Sequence, residues 1–214
     1  MASKALAMGI TKAALTTTED DYLLAMSNSF AVSFTSRGGA IVLDEKIDKD
    51  FVDFSTLITQ LKSKAPEAVF MNVGIPQLSV AYRRMHELGL KKQFFSSYWV
   101  FKKDVLDAAG AQAPDGVIAV EMDFRKPRFV AAIKEEFQHE PFSSMTYSCY
   151  LGTAYLLQAI AKNTSIRTPQ EMYTELLNID TVQLLDDPVV FKDRELQVEL
   201  QYEVMRSGRV EVFN

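Results

Sequence analysis

The sequence is poor in the residues from which disulfide frameworks and metal centres are built. One cysteine among 214 residues excludes an internal disulfide. The two histidines, His86 and His139, are each followed by glutamate, but neither has a second histidine nearby at metal-ligand spacing. A phosphate-binding loop of the P-loop type and a G-x-S-x-G nucleophile elbow are both missing. We therefore expect no metal, no cofactor and no enzymatic reaction.

Excess positive charge and long apolar runs are also missing. The formal net charge is -5 and the sequence pI is about 5.2, which argues against a nucleic-acid partner and against adhesion to acidic membranes. No apolar run approaches the roughly 20 residues that a membrane-spanning helix needs. Residues 1–9 lack the long apolar core of a signal peptide.

The clearest pattern that is present runs from residue 53 to residue 89. Apolar residues at three- and four-residue spacing mark a first helix, and they are Phe54, Leu57, Ile58 and Leu61. Residues 68–73 are an apolar run between Pro66 and Gly74, typical of a strand covered on both sides. A second helical stripe follows, made of Leu78, Tyr82, Met85 and Leu88. Such a helix–strand–helix unit is the repeat of a parallel α/β sheet.

The same alternation covers the first 122 residues. Strands are predicted at residues 11–17, 40–43, 68–73, 93–97 and 116–120, with helices between them that include 22–36 and 101–109. The residues before the helix at 22, Asp20 and Asp21, supply N-cap chemistry. Five short strands alternating with helices predict an α/β fold with a doubly wound, five-stranded parallel sheet.

The pattern changes after Met122. Helices are predicted at 127–140 and 144–163, with a capped helix start at Thr168, and short strands at 188–191, 198–206 and 210–213. Apolar residues go nearly all the way round the helix at 144–163, so we expect it to be buried on every side, with Cys149 as an inert interior thiol. One five-stranded sheet cannot easily cover such a helix. We expect another part of a larger protein, or a second copy through residues 127–163, to pack on it.

Short motifs in a constant order cover almost all of the chain. They are Asp20-Asp21-Tyr22, Gly38-Gly39, Asp53-Phe54-Ser55, Ala68-Val69-Phe70 with Gly74, Glu87-Leu88-Gly89-Leu90, Asp115-Gly116-Val117, residues 129–133, residues 150–159, and Tyr202-Glu203-Val204-Met205 with Gly208. With this order and spacing the chain resembles the type I periplasmic binding proteins, in particular the branch that binds leucine, isoleucine and valine for ABC transporters.

The resemblance implies a two-lobed clamshell whose chain crosses a hinge three times. Residues 1–124 would form lobe two, residues 125–180 would be helices that complete lobe one, and residues 181–214 would return to lobe two as a short β segment. Met1 would fall at the first helix of lobe two, so the first part of lobe one is expected to be absent. The implied function is that of a periplasmic, non-enzymatic solute-binding protein whose closed form is read by a membrane permease.

Ligands of open α/β sheets bind at the carboxyl ends of the strands. On this basis, and by comparison with the family, we expect a small amino-acid-like or aromatic carboxylate to contact Thr17, Tyr22, Asn72, Gly74, Ile75, Ser97, Tyr98 and Trp99. The resemblance places Tyr22 at a cleft-lining position and Tyr98 near an acidic residue that binds the ligand ammonium in leucine-type proteins. A phenol is a poorer partner for an ammonium group than a carboxylate, and Trp99 suits a ligand that stacks.

Other interpretations remain open. Tyr22 also suits interior packing, Gly74 also suits a turn whatever the function, and the aromatics Tyr98 and Trp99 also suit an interface between lobes. For the whole chain, the alternative is a ligand-free dimerising scaffold or regulatory module with the same fold. A third interpretation, a flavodoxin-like enzyme domain, would bring a bound flavin.

Overall fold

The alternation of strands and helices expected from the sequence is present in the structure, a computed structural model that describes residues 1–110, 115–139, 144–192 and 195–213. The elements of the first part are α1 (Ala2–Ala7), β1 (Lys12–Thr18), α2 (Asp21–Thr35), β2 (Ala40–Ile47), α3 (Phe54–Lys64), β3 (Ala68–Asn72), α4 (Ile75–Glu87), β4 (Gln93–Ser97), a 3-10 turn (Tyr98–Phe101), α5 (Lys103–Ala109) and β5 (Ile118–Met122). They are followed by α6 (Pro127–Phe137), α7 (Ser144–Lys162), α8 (Pro169–Leu177), β6 (Thr181–Val182), β7 (Val189–Lys192), β8 (Glu195–Gln197), β9 (Leu200–Arg206) and β10 (Arg209–Val212). The predicted end of α6 at residue 140 lies outside the described residues.

The main sheet has seven strands in the order β10-β9-β5-β4-β3-β1-β2. Its five-stranded part, β2-β1-β3-β4-β5, is parallel as predicted. The two further strands come from the end of the chain, where β9 and β10 form an antiparallel hairpin through Ser207 and Gly208. Both turn residues have a positive φ, a backbone conformation that glycine adopts without strain. The tail therefore extends the sheet beyond the five strands that the helix–strand alternation predicted.

Helices cover both faces of this sheet. One hydrophobic cluster joins α3, α4 and α5 to the sheet and includes the four residues predicted as one face of α3, namely Phe54, Leu57, Ile58 and Leu61. A second cluster joins α1 and α2 to the other face, where Phe30 stacks on Phe70 with ring centroids 4.8 Å apart. All four predicted α3 positions are buried. The doubly wound α/β fold is confirmed.

The chain divides into two compact units. The larger unit comprises Met1–Glu121 and the stretch from Tyr202 onward, and the smaller unit is Met122–Gln201. In the smaller unit, β6, β7 and β8 form a separate three-stranded antiparallel sheet. Thr168 and Glu171 form a capping box at the start of α8, as its sequence indicated. The assignment of residues 1–124, 125–180 and 181–214 to the lobes of a clamshell stays a prediction.

Residues of the same chain cover α7 on one face only, so the cover expected from another part of a larger protein or from a second copy is not supplied by the chain itself. Only four of its residues are buried, namely Ser144, Tyr147, Leu151 and Ala159, whereas the apolar residues Met145, Leu156, Leu157 and Ile160 are exposed. Cys149, expected to be an interior thiol, is also exposed. The reason is that the smaller unit packs on one face of α7 only. Across the stretches of chain that the structure describes, no helix combines the length and hydropathy needed to cross a bilayer.

Candidate functional site

The candidate site lies in the larger unit, at the carboxyl ends of β1, β3 and β4. These strands are neighbours, and their parallel register pairs Thr17 with Asn72 and Met71 with Ser96. The next residue of β4, Ser97, pairs with Val120 of β5. Since paired residues in a parallel sheet point to the same face, Thr17, Asn72, Ser97 and Val120 form one row beneath α2. We call this row the polar row, although it ends on a valine.

Two side chains of the polar row are bound to α2. The Asn72 Nδ2 group donates to the Leu23 carbonyl oxygen at 2.7 Å and lies 3.1 Å from the Ser27 hydroxyl. The Thr17 hydroxyl donates to the Ser27 Oγ at 2.7 Å. Ser27, which the sequence analysis did not single out, therefore holds both strand ends to the first turns of α2. Thr17 and Asn72 are themselves fully buried, so in this structure their hydrogen bonds position α2.

Two polar atoms of the same row have no hydrogen-bond partner in the part of the chain that the structure describes. The Asn72 Oδ1 atom and the Ser97 Oγ atom are buried without a hydrogen bond to any described residue. A buried polar group left unpaired costs about 1–3 kcal/mol, and the register places these two on adjacent strands. The row therefore offers one free acceptor and one hydroxyl that both donates and accepts, which are the groups needed to orient a small polar molecule.

Three aromatic side chains form the rim above these strand ends, and we call them the aromatic rim. Tyr22, at the start of α2, lies with its ring centroid 5.8 Å from that of Trp99. Trp99 in turn lies 6.3 Å from Tyr98, nearly edge to face. Tyr22 as a whole residue is 51% exposed, so it is accessible to a ligand. Burial, with a smaller contribution from Tyr98, raises the pKa of the Tyr22 phenol; the hydroxyl is thus neutral and able to donate at neutral pH.

A groove of about 450 Å³ adjoins the rim. It runs along α2 and has both Tyr22 and Val120 in its lining, together with the apolar side chains of Met26 and Phe30. Its floor at Val120 is the direct sheet neighbour of Ser97. The groove therefore meets the aromatic rim at Tyr22 and the polar row at Val120, and it provides apolar surface for the body of a small ligand.

The turn after β3 is held by a buried glutamine that sequence reasoning missed. The Thr18 hydroxyl donates to the Gln77 Oε1 at 2.6 Å and accepts from the Gly74 amide at 3.1 Å. The Gln77 Nε2 donates to the Asp48 and Phe51 carbonyl oxygens at 2.9 and 3.2 Å. The sequence signal that could have identified Gln77 is that a polar residue lies next to the apolar stripe of α4, where burial requires hydrogen-bond partners. This network fixes Gly74, the N-cap of α4, and with it Ile75, the first residue of α4, beside the strand ends.

The caps of α2 and α4 differ in a way that matters for a ligand. Asp20 caps α2, as predicted, by accepting from the Tyr22 amide at 3.1 Å, and it also lies 3.5 Å from the Lys49 ammonium. Helix α4 begins after Gly74, which offers no side-chain cap, and Pro76 has no N–H to offer. The positive end of the α4 dipole therefore faces the strand ends without a carboxylate of its own.

Of the eight residues predicted for the site, the structure brings Tyr22, Tyr98 and Trp99 together in the rim and places Thr17, Asn72 and Ser97 in the row. Gly74 and Ile75 lie at the start of α4. A contact between any of them and a ligand stays a prediction.

The comparisons with known proteins agree with this architecture. The structure of the leucine-binding protein LivK from Thermotoga maritima superposes with a TM-score of 0.83 at 18% sequence identity, covering 100% of this chain and 63% of that one. LivJ from Streptococcus pneumoniae in complex with isoleucine gives a TM-score of 0.77 at 17% identity, with 98% and 62% covered. An R. palustris solute-binding protein of an ABC transporter in complex with benzoate gives 0.76 at 18%, with 99% and 60% covered.

The chain thus spans about three fifths of the length of these structures, and identities this low show the fold alone. No curated protein matches the chain. The family model described as "Periplasmic binding protein" matches residues 1–209. Since that match takes in nearly the whole sequence, the chain belongs to the periplasmic binding protein family.

Proposed function

We propose that this chain is a solute-binding component of an ABC-type transporter and that it binds a small amino-acid-like or aromatic carboxylate at the carboxyl ends of β1, β3 and β4. The observation that carries the proposal is the contact of Tyr22 with Trp99, because Tyr98 and Trp99 directly follow Ser97 and because the Ser97 Oγ and Asn72 Oδ1 atoms have no hydrogen-bond partner among the described residues. Membership in a family of binding proteins supports a role without enzymatic chemistry.

The residues have different roles in this proposal. Trp99 and Tyr22 stack on the ligand body, and the Ser97 hydroxyl donates to its carboxylate. The uncapped start of α4 at Gly74 and Ile75 favours negative charge at the same place. Thr17 and Asn72 hold α2 through Ser27 and so position Tyr22. Ligands of this chemistry are present in the structural relatives, namely isoleucine and benzoate.

The finer parts of the proposal concern the complete transport system. Binding would be followed by hinge closure, because a ligand that contacts two bodies in one conformation only shifts the equilibrium toward it. A membrane permease would recognise and bind the closed form. Family membership implies an extracellular or periplasmic location, and we propose the periplasm.

A ligand panel followed by the melting temperature tests the proposal. Leucine, isoleucine and benzoate are each added in excess. A ligand that binds only the native state at 100 times its Kd stabilises the fold by about 2.7 kcal/mol, which raises the melting temperature by several degrees. Benzyl alcohol, which lacks the carboxylate, serves as the control. If no carboxylate raises the melting temperature, the proposal is wrong and the scaffold alternative is favoured.

We also propose a homodimer through residues 127–163, and its support is the exposed apolar surface of this segment. Phe137 of α6 and Met145, Leu156, Leu157 and Ile160 of α7 are all exposed, and large apolar side chains exposed in one segment are typical of an interaction site when they form a patch. Light scattering at increasing protein concentration should give twice the 24.1 kDa mass of one chain. A mass of one chain at all concentrations would contradict the dimer.

A further inference from the structure

A second cavity lies in the smaller unit and takes no part in the proposed function. Its volume is about 250 Å³. It is enclosed by residues from the connection before α6, from α7 and from the β7 and β8 region, namely Asp123, Lys126, Tyr147, Asp187, Pro188, Val189, Val190, Gln197, Val198 and Glu199. We call it the acidic cavity because three of its side chains are carboxylates and one is an ammonium group, which leaves a formal charge of -2.

Lys126, the one cation among the described residues that line the cavity, is already neutralised. The Lys126 Nζ lies 2.7 Å from the Glu199 Oε2 and 3.0 Å from the Asp123 Oδ2. The hydrogen bond from Lys126 to Glu199 is the main reason why the pKa of Lys126 is raised, so the ammonium stays charged and paired. An incoming anion would have to displace one of these two carboxylates. The cavity is therefore unsuited to anions.

The third carboxylate, that of Asp187, is different. It makes no hydrogen bond or ion pair with any residue that the structure describes, and it lies at an exposed position of the cavity wall. A positively charged group entering the cavity would thus meet a carboxylate whose charge is not already neutralised by a protein cation.

Besides the Asp187 carboxylate, which is unpaired within the described residues, the hydroxyl of Tyr147 is a second and independent indication that the cavity binds a ligand. Tyr147 is 4% exposed. Its ring centroid lies 5.0 Å from that of Phe129 and 5.9 Å from that of Tyr150. Its hydroxyl has no hydrogen-bond partner among the described residues, yet it lies where the charges of Lys126 and Asp123 act on it. Burial raises the pKa of this phenol, so the neutral hydroxyl keeps a free acceptor at the charged end of the cavity.

A metal ion does not fit this arrangement. No group of three histidine, cysteine, aspartate or glutamate side chains lies close enough to share a metal ion anywhere in the described part of the chain. An organic ammonium group needs only one or two carboxylates and a neutral acceptor, and its hydrocarbon part needs apolar contact. Pro188, Val189 and Val198 supply that contact in the cavity wall.

We propose that the acidic cavity binds a small organic amine, with its ammonium group between Asp187 and the Tyr147 hydroxyl and its hydrocarbon part against Pro188, Val189 and Val198. The proposal goes beyond the proposed function, since it concerns another unit of the chain and a ligand that has no carboxylate.

Titration of the full chain with butylamine, followed by the backbone amide shifts in NMR, tests this proposal. Butyrate and 1-butanol, which have similar size but a negative charge or none, are the controls. We expect saturable shifts at Asp187, Val189 and Val198 with butylamine alone. Binding should weaken at higher salt because the attraction is between charges.

Three variants locate the site. Asp187→Asn should weaken butylamine binding by up to about fivefold, the worth of one partly exposed charge pair, and Tyr147→Phe by about three- to tenfold for one hydrogen bond. Glu136→Gln, an exposed carboxylate of α6 outside the cavity, should change nothing. Two outcomes overturn the proposal: no saturable shift of the cavity amides, or equal binding by the three Asp187, Tyr147 and Glu136 variants. Neither outcome bears on carboxylate binding at the aromatic rim.

Discussion

Replacement of Trp99 by alanine is expected to weaken the binding of benzoate by about ten- to a hundredfold, because the ligand loses both a stacking partner and apolar contact area. Trp99 lies between Tyr22 and Tyr98, at ring-centroid distances of 5.8 and 6.3 Å, so its removal breaks the aromatic rim at its centre. The dissociation constant is measured by calorimetry.

The controls for this prediction separate binding from folding. Trp99 also packs against the hydrophobic cluster of α3, α4 and α5, so the alanine variant will lose some stability and must be titrated below its own melting temperature. Trp99→Phe keeps an aromatic face and should keep most of the affinity. Tyr173→Ala removes an exposed aromatic ring of α8 and should leave the affinity unchanged. Equal affinities of the Trp99→Ala variant and the unaltered chain would show that the ligand binds elsewhere.

Replacement of Gln77 by alanine is expected to lower the free energy of unfolding by about 2–4 kcal/mol. The change leaves the buried Thr18 hydroxyl without its acceptor, which costs about 1–3 kcal/mol, and it removes the part-buried hydrogen bonds to the Asp48 and Phe51 carbonyl oxygens, which contribute about 0.5–1.5 kcal/mol each. The stability is measured by urea denaturation.

Gln60→Ala is the matched control. Gln60 lies on the exposed side of α3, and substitutions at such positions change stability by no more than about 0.5 kcal/mol. If both glutamine variants lose the same stability, the network around Gln77 does not hold the start of α4. We further expect Gln77→Ala to weaken benzoate binding, since Gly74 and Ile75 are then less firmly positioned.

Much of the fold follows from local pattern. The spacing of Phe54, Leu57, Ile58 and Leu61 fixes which face of α3 is buried, because helical periodicity and burial depend on the same few residues. The pairing of β9 with the sheet has no such local signal. It joins residues such as Gly116 and Met205, far apart in the sequence, so the number of strands in the sheet was underestimated.

Helix α7 is an element whose burial the hydrophobic pattern does not predict. Its apolar residues surround the helix, so periodicity does not tell which face meets the chain's own core and which is exposed. Cys149 was assigned to the interior for this reason and is exposed. The residue types likewise do not predict that Tyr147 is buried while Met145, two residues earlier, is exposed. Only the packing of the smaller unit decides between them.

The candidate site was accessible to sequence reasoning in part. The rule that ligands bind at the carboxyl ends of parallel strands selected the segments around Tyr22, Asn72 and Trp99, and the structure brings Tyr22 and Trp99 within stacking distance. The residues that hold these segments in place, Ser27 and Gln77, were missed. Their side chains act across 45 and 59 residues of sequence on Asn72 and Thr18, a separation that no local motif records.

Titration of the intrinsic fluorescence tests the central claim most directly, since Trp99 is the only tryptophan in the sequence. The account predicts a saturable change in the emission of Trp99 with benzoate or isoleucine, with a midpoint equal to the dissociation constant from calorimetry. Calorimetric binding of either ligand with unaltered Trp99 emission would contradict it, as would the absence of binding by both.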